Sequence, residues 1–320
     1  MDKILNAVFI TTFFYSVIRI TAPILFAALA SAVSERAGVA NIGLEGIMMI
    51  SALSGVLFSA WTQNALLGVL GAAAVGMLIA MMMGFFNLKM GTNIILAGIA
   101  VNMLGGGGTI FFLYLFTGEK GNSAAIPSKV LPKLNVPIIK NIPFIGDIFS
   151  GHSALTYIAF LCVILVYILL YKTPLGLRIR AVGENRNAAD SVGVSVNAVS
   201  YTALGISGFL AGLGGAYMSM YYSVGFSANM VAGRGFIALA AQAMGRGEPL
   251  GTMLCSLLFG TADALKNNIE GSGIPSQLVS TIPYLITIIG LSLYAASTFR
   301  KSKRIRKQNI ERAQREEAGQ

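Results

Sequence analysis

Charged residues are scarce in this chain. Only 11% of its 320 residues are Asp, Glu, Lys or Arg, whereas 55% are hydrophobic and the mean hydropathy is +0.72. A soluble domain carries a charge on about a quarter of its residues, so this chain has less than half the charge that a water-exposed surface needs. The composition excludes a soluble enzyme, a soluble nucleic-acid-binding protein and a secreted disulfide scaffold. It indicates a helical protein that crosses a membrane several times.

Residues that carry catalysis or hold metals are almost absent. His152 is the single histidine, and Cys162 and Cys255 both lie in apolar stretches, where cysteine is typical as a small core residue. The sequence contains no G-x-x-x-x-G-K-[ST] motif, whose backbone and lysine hold ATP phosphates. We therefore expect no metal site, no disulfide, no catalytic residue and no cofactor in this chain.

Apolar runs of about the length that crosses a bilayer, roughly 20 residues, follow one another along the sequence. They predict an all-α, polytopic fold of about ten transmembrane or partly re-entrant helices within residues 1–299. The predicted segments are 4–18, 21–34, 46–61, 65–86, 94–117, 153–171, 201–224, 232–245, 249–266 and 275–299. Segments 21–34 and 232–245 have only 14 residues each, which predicts broken, tilted or re-entrant helices. The weak basic region before residue 4 favours a retained first helix over a cleaved signal peptide.

Lysine and arginine residues indicate how the segments are oriented. If the chain starts in the cytoplasm and ten segments alternate, 16 Lys and Arg fall on the inner side and seven on the outer side. Because basic residues concentrate on the cytoplasmic side, we expect both termini there. Residues 300–320 then form a basic cytoplasmic tail, 118–150 a long outer loop and 172–200 a cytoplasmic loop. A basic tail after an apolar run is typical of a lipid surface, so no nucleic-acid partner is expected.

The loop over residues 172–200 contains a predicted two-turn amphipathic helix. Ala188, Ala189 and Val192 share one helical stripe, Glu184 stands where the helix dipole favours an anion, and Gly193 follows where a left-handed cap is wanted. One interpretation is a surface helix that only joins two spans. The other is a knob that fits a soluble partner and carries force to the membrane. The candidate residues for this contact are Gly183, Glu184, Asn185, Arg186, Ala188, Ala189 and Gly193.

Polar side chains inside the apolar segments are few. An ionisable group within a membrane segment indicates function by default. For the amide side chains the alternative is hydrogen bonding between helices, and for the carboxylate it is pairing with Arg36 or with a helix N-terminus. The candidate residues for a translocation pathway are Asn41, Glu45, Asn93, Asn102 and Gln242.

Small and charged residues add three local predictions. Four consecutive glycines, 105–108, predict either very tight packing or an unwound point beside a pathway. Asp263 and Lys266 stand three residues apart, which predicts a local ion pair or a contact for an external partner. A small-residue repeat at every fourth position of 201–224 predicts close helix packing. Two such series are present: Ser207, Ala211 and Gly215 form the first, and Gly208, Gly212 and Ala216 form the second.

Four sequence blocks resemble those of a known family. The blocks are 36–46 (RAGVANIGLEG), 92–102 (TNIILAGIAVN), 174–185 (PLGLRIRAVGEN) and 233–241 (GRGFIALAA). They are similar to blocks in the permease subunits of bacterial ABC importers, the group that includes ribose, nucleoside and branched-chain amino-acid permeases. The likeness runs in the same order over residues 20–298, and the first block looks most like the purine-nucleoside permeases.

The resemblance implies a machine of several chains in the bacterial cell membrane. Two permease chains, identical or homologous, would form one pathway for nucleosides, driven by a cytoplasmic ABC ATPase that contacts residues 183–193. An extracytoplasmic substrate-binding protein or lipoprotein would deliver the solute. A permease for another small polar solute such as ribose, an ion-coupled secondary transporter and a membrane scaffold remain the alternatives.

Overall fold

The computed structural model describes residues 7–134 and 145–269, together with Thr281, Leu285, Ile288, Gly290 and Ser292. This part of the chain is mostly helical, as predicted. The helices are α1 (Ala7–Arg36), α2 (Leu44–Thr62), α3 (Ala65–Leu88), α4 (Ile94–Met103), α5 (Thr109–Thr117), α6 (Ile145–Phe149), α7 (Ala154–Lys172), α8 (Pro174–Glu184), α9 (Arg186–Ser191), α10 (Val196–Tyr217), α11 (Arg234–Met244) and α12 (Pro249–Ile269). A π-helical turn, Leu104–Gly108, joins α4 to α5, and a second, Met218–Tyr222, extends α10. Two short antiparallel strands, β1 (Lys133–Leu134) and β2 (His152–Ser153), pair with each other.

Six helical stretches of the described chain are long and apolar enough to cross a membrane. They are Ile10–Arg36, Leu44–Thr62, Ala65–Leu88, Ile94–Thr117, Ala154–Lys172 and Val196–Tyr222. The chain is therefore a multi-pass membrane protein. The predicted segment 275–299, apart from the single residues named above, the tail 300–320 and part of the predicted outer loop lie outside the described residues.

One continuous helix, α1, replaces the two predicted segments 4–18 and 21–34. It has 30 residues and runs through Pro23 without a break, so the predicted division is wrong. Arg19 falls between the two predicted segments, and a charge is costly inside a membrane helix. In the structure this charge has partners within the protein: Arg19 Nη2 donates to the Tyr222 carbonyl at 2.7 Å, and the guanidinium carbon lies 4.9 Å from the centre of the Tyr222 ring.

Contacts of α1 define the two ends of the helical bundle. Near its start the Tyr15 hydroxyl donates to the Gly151 carbonyl at 2.9 Å, and just after its last residue Gly38 packs against Gly183. We call the end that carries residues 118–134 and 145–153 the loop end, and the opposite end the α8–α9 end.

The described start of α1 lies at the loop end. The sequence placed the N-terminal segment on the same side as residues 172–200. The described part of α1 contradicts this prediction. The prediction assumed two membrane crossings in this stretch, whereas one continuous helix crosses once and so starts at the end opposite to residues 172–200.

The centre of the bundle is α10, which packs against α1, α2 and α3. A Cβ atom on Gly208 would overlap the Gly76 carbonyl of α3, and one on Gly215 would overlap the Met48 carbonyl of α2. Glycine therefore lets the three backbones approach more closely than any side chain would allow. This confirms the close packing that the small-residue repeat predicts.

Candidate functional site

The Glu45 carboxylate joins the starts of two helices. Glu45 is the second residue of α2, and its Oε1 and Oε2 atoms accept hydrogen bonds from the backbone amides of Gly233 and Gly235 at 2.8 and 2.7 Å. These amides belong to the first turn of α11, where a helix favours a negative charge. A Cβ on Gly235 would lie 2.5 Å from the Glu45 nitrogen, so only glycine permits this approach. The predicted contact with a helix N-terminus is confirmed.

The predicted alternative, a pair of Glu45 with Arg36, is wrong. Arg36 lies at the α8–α9 end, where its Nε and Nη2 atoms donate to the carbonyls of Gly247 and Arg246 at 3.2 and 2.9 Å. These carbonyls follow the last turn of α11, and a cation is favoured at a helix C-terminus. Both ends of α11 are thus held by charged residues from the same stretch of sequence.

A buried ion pair fixes the start of α11 from the other side. Arg234 Nη2 lies 2.9 Å from Asp263 Oδ2 of α12, and the two residues are only 9% and 7% exposed. The Arg234 guanidinium also lies over the Tyr222 ring, 5.2 Å from its centre. The predicted local pair of Asp263 with Lys266 is wrong, because Asp263 faces α11 instead of its own helix. No role for Arg234 was predicted from the sequence. The signal that could have revealed it is that Arg234 and Asp263 carry opposite charges within two predicted apolar segments.

Asn102 holds the start of α2. Its Oδ1 accepts from the Gly46 amide at 2.8 Å, and its Nδ2 donates to the Ile42 carbonyl at 2.9 Å. The Asn41 side chain, which is fully buried, donates to Ser207 Oγ of α10 at 3.0 Å. The structure thus brings Asn41, Glu45 and Asn102 together around residues 41–46.

The other two predicted pathway residues lie elsewhere. Gln242 accepts from the Ser31 hydroxyl at 3.4 Å and so links the last turns of α11 to α1. Asn93 is exposed and caps α4, since its Oδ1 accepts from the Ile95 amide at 2.9 Å. Gln242 thus has the contact between helices that the alternative predicted, whereas Asn93 caps its own helix, which was not predicted.

The helical path is broken between the π-helical turn Met218–Tyr222 and α11, because residues 223–233 are irregular. We call residues 223–233 together with α11 the discontinuous helix. Val224, Asn229 and Ala232 have φ angles of 50°, 59° and 50°, a left-handed conformation that costs free energy outside glycine. The helix that follows has 11 residues and spans only about 16 Å, which is half of a hydrocarbon core of about 30 Å. This agrees with the short predicted segment 232–245. Discontinuous helices recur at the substrate sites of membrane transporters.

The four glycines, 105–108, widen a helix without unwinding it. They form the π-helical turn between α4 and α5, and the Thr109 hydroxyl bonds back to the Gly105 carbonyl at 2.5 Å. A Cβ on Gly105 would overlap Gly46 of α2, whereas one on Gly106 or Gly107 would meet open space. Tight packing, one of the two predicted interpretations, therefore explains Gly105 alone.

The predicted helix near residue 188 is present as α9. Asn185 Oδ1 accepts from the Ala188 amide at 3.1 Å, and Gly193 has a φ of 82° at the opposite end. The predicted apolar stripe is only partly right, since Ala189 is buried while Ala188 is exposed and Val192 is 79% exposed.

The helix before it, α8, was missed. Thr173 and Pro174 are its start signal, because the Thr173 hydroxyl accepts from the Gly176 amide at 3.1 Å and proline suits the first helical position. A Cβ on Gly183, in the last turn of α8, would overlap the Arg36 carbonyl. The α8–α9 pair is therefore seated directly on the end of α1, with Glu184 and Arg186 exposed.

Apolar crossing helices, a discontinuous helix held at both ends and a surface helix pair together define a membrane transport protein. Residues 13–291 match the family described as the branched-chain amino acid transport system permease component. The match covers most of the chain, so this chain belongs to that permease family. The resemblance found from the sequence blocks is thereby confirmed.

Relatives with assigned names are similar over most of their length. The chain is 36% identical over 283 residues to the nucleoside ABC transporter permease protein NupC of Lactococcus lactis, covering 85% of this chain and 88% of that protein. It is 37% identical over 286 residues to the guanosine ABC transporter permease protein NupQ of Bacillus subtilis, with the same coverage. It is 34% identical to the putative glucose ABC transporter permease protein TsgC13 of Haloferax volcanii, covering 84% and 87%. No solved structure matches the chain at a comparable level.

Proposed function

We propose that this chain is the membrane permease subunit of an ABC importer and that the importer carries nucleosides. The observation that carries the proposal is the similarity, over 85% of the chain, to relatives named as nucleoside and guanosine ABC transporter permeases. Simple sugars are the second candidate, because a relative of similar identity is named as a putative glucose permease. All three names refer to ABC transporters, which disfavours an ion-coupled secondary transporter.

The α8–α9 end is the surface that we assign to a separate cytoplasmic ATPase, which would bind and hydrolyse ATP. Glu184 and Arg186 are exposed there, and so is the apolar side chain of Val192. Exposed charged and apolar side chains in one short segment suit a protein contact. Six of the residues predicted from the sequence are exposed and are assigned to this contact: Gly183, Glu184, Asn185, Arg186, Ala188 and Gly193. The seventh, Ala189, is buried, so we assign it to holding α9 in place.

A series of contacts leads from α9 to the discontinuous helix. Gly183 rests on the Arg36 carbonyl, and the Arg36 side chain donates to the Gly247 carbonyl just after α11. The other end of α11 is bonded to Glu45. In this proposal, a push from the ATPase on α9 reaches residues 223–233 through the end of α1 and through α11, and the pathway opens alternately to each side.

We assign the predicted pathway residues to positioning. Asn41, Glu45, Asn102 and Gln242 each bond to another part of the chain, so they hold helices in place and leave solute contact to other groups. Asn93 is exposed at the start of α4 and stays a candidate for the pathway.

The orientation follows from the distribution of basic residues. Residues 172–200 carry four basic residues, and Arg36 and Arg246 lie at the same end, whereas residues 118–150 carry four lysines. Because basic residues concentrate on the cytoplasmic side, we place the α8–α9 end in the cytoplasm. The loop end and the start of α1 then face outwards. There an extracytoplasmic substrate-binding protein or lipoprotein would deliver solute to this chain and a second permease chain, identical or homologous. Residues 1–299 would form the permease domain in lipid and 300–320 a cytoplasmic tail.

Reconstitution tests the proposal. Proteoliposomes that contain this chain with an ABC ATPase, a second permease and a binding protein from the same organism should take up radiolabelled guanosine only when ATP is present. Replacing both Glu184 and Arg186 with Ala should reduce guanosine-stimulated ATP hydrolysis severalfold, whereas Lys133→Ala at the loop end should not. Uptake driven by an ion gradient without ATP would establish the secondary transporter, and uptake of glucose but not guanosine would establish the sugar permease.

A further inference from the structure

A cleft opens at the loop end between two irregular segments, 122–130 and 223–227. Its volume is about 380 Å³, which lies within the range of about 300–1,000 Å³ that small-molecule sites span. We call it the loop-end cleft. It lies apart from the residues that the sequence predicts for the pathway and for the ATPase contact.

Hydrogen bonds between the two segments build the walls of the loop-end cleft. Ser123, which is 3% exposed, donates its amide to the Phe226 carbonyl at 2.8 Å, and its hydroxyl accepts from the Phe226 amide at 2.8 Å. The Ala228 amide donates to the Gly121 carbonyl at 2.9 Å. On the far side, Lys129 exchanges two hydrogen bonds of 2.8 and 2.9 Å with the Ser59 hydroxyl of α2. The cleft is therefore a fixed shape and not a gap between two unattached loops.

The lining of the cleft indicates the chemistry of its ligand. Hydroxyl and amide groups such as those of Ser128, Ser223 and Asn122 alternate with apolar groups such as Ile126 and Pro127. The described residues that line it carry no charge. An anionic or cationic ligand would lose its hydration there without a compensating charge. A docked protein would find no charged group in the cleft with which to pair, although charge complementarity commonly guides such contacts.

The same backbone that forms one wall continues to the discontinuous helix. Val224, 67% exposed at the mouth, has a φ of 50°, and the segment ends at Gly233, whose amide is bonded to Glu45. For a β-branched residue this φ is a genuine outlier, and such strain clusters at ligand sites. A ligand in the cleft would therefore contact residues 223–227, which belong to the segment that α11 would move during transport.

We propose that the loop-end cleft is a solute-binding subsite of this chain and that it takes an uncharged ring-and-sugar solute, a nucleoside, before the solute enters the pathway. The proposal rests on the proposed function and adds to it a place where the permease itself contacts its substrate. The hydroxyls and amides suit the sugar, and the apolar wall suits the heterocycle.

Thiol protection tests the subsite in the assembled permease and ATPase complex without binding protein. Ser223→Cys places a thiol in the cleft, and Lys133→Cys places one on the same end outside it. Guanosine should slow the reaction of Ser223→Cys with a charged, membrane-impermeant thiol reagent severalfold and leave Lys133→Cys unchanged. Guanosine monophosphate should protect neither, because its phosphate finds no partner. The parent chain, with Cys162 and Cys255 in its helices, gives the background rate.

A filling variant provides the second readout. Val224→Trp should block the mouth without added backbone strain, since tryptophan is not β-branched, and should raise the KM for guanosine uptake severalfold, whereas Lys133→Trp should not. Transport of guanosine with no protection and an unchanged KM overturns the subsite and leaves the proposed function intact. No guanosine transport by the parent complex overturns the proposed function and the subsite with it. Protection by the binding protein alone, and not by guanosine, would make the cleft a protein-docking surface and also overturn the subsite.

Discussion

Single side chains hold this fold where regular helix stops. Asn102 bonds to a carbonyl before α2 and to an amide within it, and Glu45 takes two amides at the start of α11. Each side chain replaces the water that a soluble protein would use to satisfy such groups. In apolar surroundings a lost partner leaves a buried polar group unpaired, which costs about 1–3 kcal/mol. These few contacts therefore decide where the discontinuous helix sits.

A double-mutant cycle at Arg234 and Asp263 tests the buried ion pair. Asp263→Leu should lower the free energy of unfolding by about 3–5 kcal/mol, because it leaves the Arg234 charge buried without a partner. The double variant Arg234→Met/Asp263→Leu should recover most of that loss, because no unpaired charge remains. Unfolding in mixed micelles by titration with SDS measures all four proteins. Asp147→Asn, at an exposed carboxylate, is the control, and a double variant no more stable than Asp263→Leu would contradict the prediction.

His152 makes the loop end sensitive to acid. Burial lowers the pKa of His152 below its usual 6.5, and the nearby charge of Arg19 lowers it further. The ring stacks on Tyr15 with centres 4.1 Å apart; Nε2 bonds to the Ile148 carbonyl at 3.0 Å, and Nδ1 is buried without a hydrogen-bond partner. The unfolded chain therefore takes up a proton at a higher pH than the folded chain, so stability falls as the pH drops below 6.5.

Melting temperatures between about pH 8 and about pH 5 test this titration. The parent chain should lose more stability over that range than His152→Phe, which keeps an aromatic ring against Tyr15 but cannot be protonated. Parallel pH profiles for the two proteins would contradict the assignment. Both proteins contain the same carboxylates, so protonation of these groups changes both melting temperatures alike and does not contribute to the difference.

Two π-helical turns and one discontinuous helix interrupt the regular elements. All three interruptions involve contacts with α2: Gly105 lies against Gly46, Gly233 bonds to Glu45, and the turn Met218–Tyr222 packs beside α2. Irregular backbone at membrane depth is tolerated where protein covers it. α2 is the element that supplies this cover.

Adjacent glycines of the first π-helical turn should respond in opposite ways to alanine. Gly105→Ala should destabilise the protein, since its Cβ would overlap Gly46. Gly106→Ala should be neutral or stabilising by up to about 1 kcal/mol, because its Cβ meets open space and alanine favours a helix over glycine. SDS titration of the two variants measures the difference. Equal losses for both would mean that glycine is needed for the turn itself and not for packing.

Local signals in the sequence predicted local structure well. Gly193 marked the end of α9, and the small-residue repeat marked the face of α10 that packs closely, because caps and steric fit depend on residues near in sequence. The start of α9 was less well predicted, since Glu184 ends α8 and the cap is Asn185. Contacts between distant residues could not be read in this way. Arg19 stays inside α1 because of Tyr222, and Asp263 pairs with Arg234 and not with Lys266, since the fold and not the spacing brings those partners together.

At one end of the molecule, the loop end, irregular segments hydrogen-bond to each other. The opposite end carries the two short helices α8 and α9. The orientation of the molecule in the membrane can be measured with an impermeant maleimide. Lys133→Cys at the loop end should be labelled on intact cells, whereas Asn187→Cys on α9 should be labelled only after the cells are opened. Both side chains are exposed, so access and not burial decides the result. Labelling of Asn187→Cys on intact cells would place α9 outside and remove the proposed ATPase contact.

The start of α11 differs electrostatically from an ordinary helix N-terminus. The first amides of a helix normally attract anions such as phosphate. At the start of α11 this chain's own Glu45 carboxylate already accepts from two of them. The Glu45 carboxylate therefore offsets the positive end of the α11 dipole. A phosphorylated solute that reached the start of α11 would meet a fixed negative charge, and these two amides would not be free to bind its phosphate.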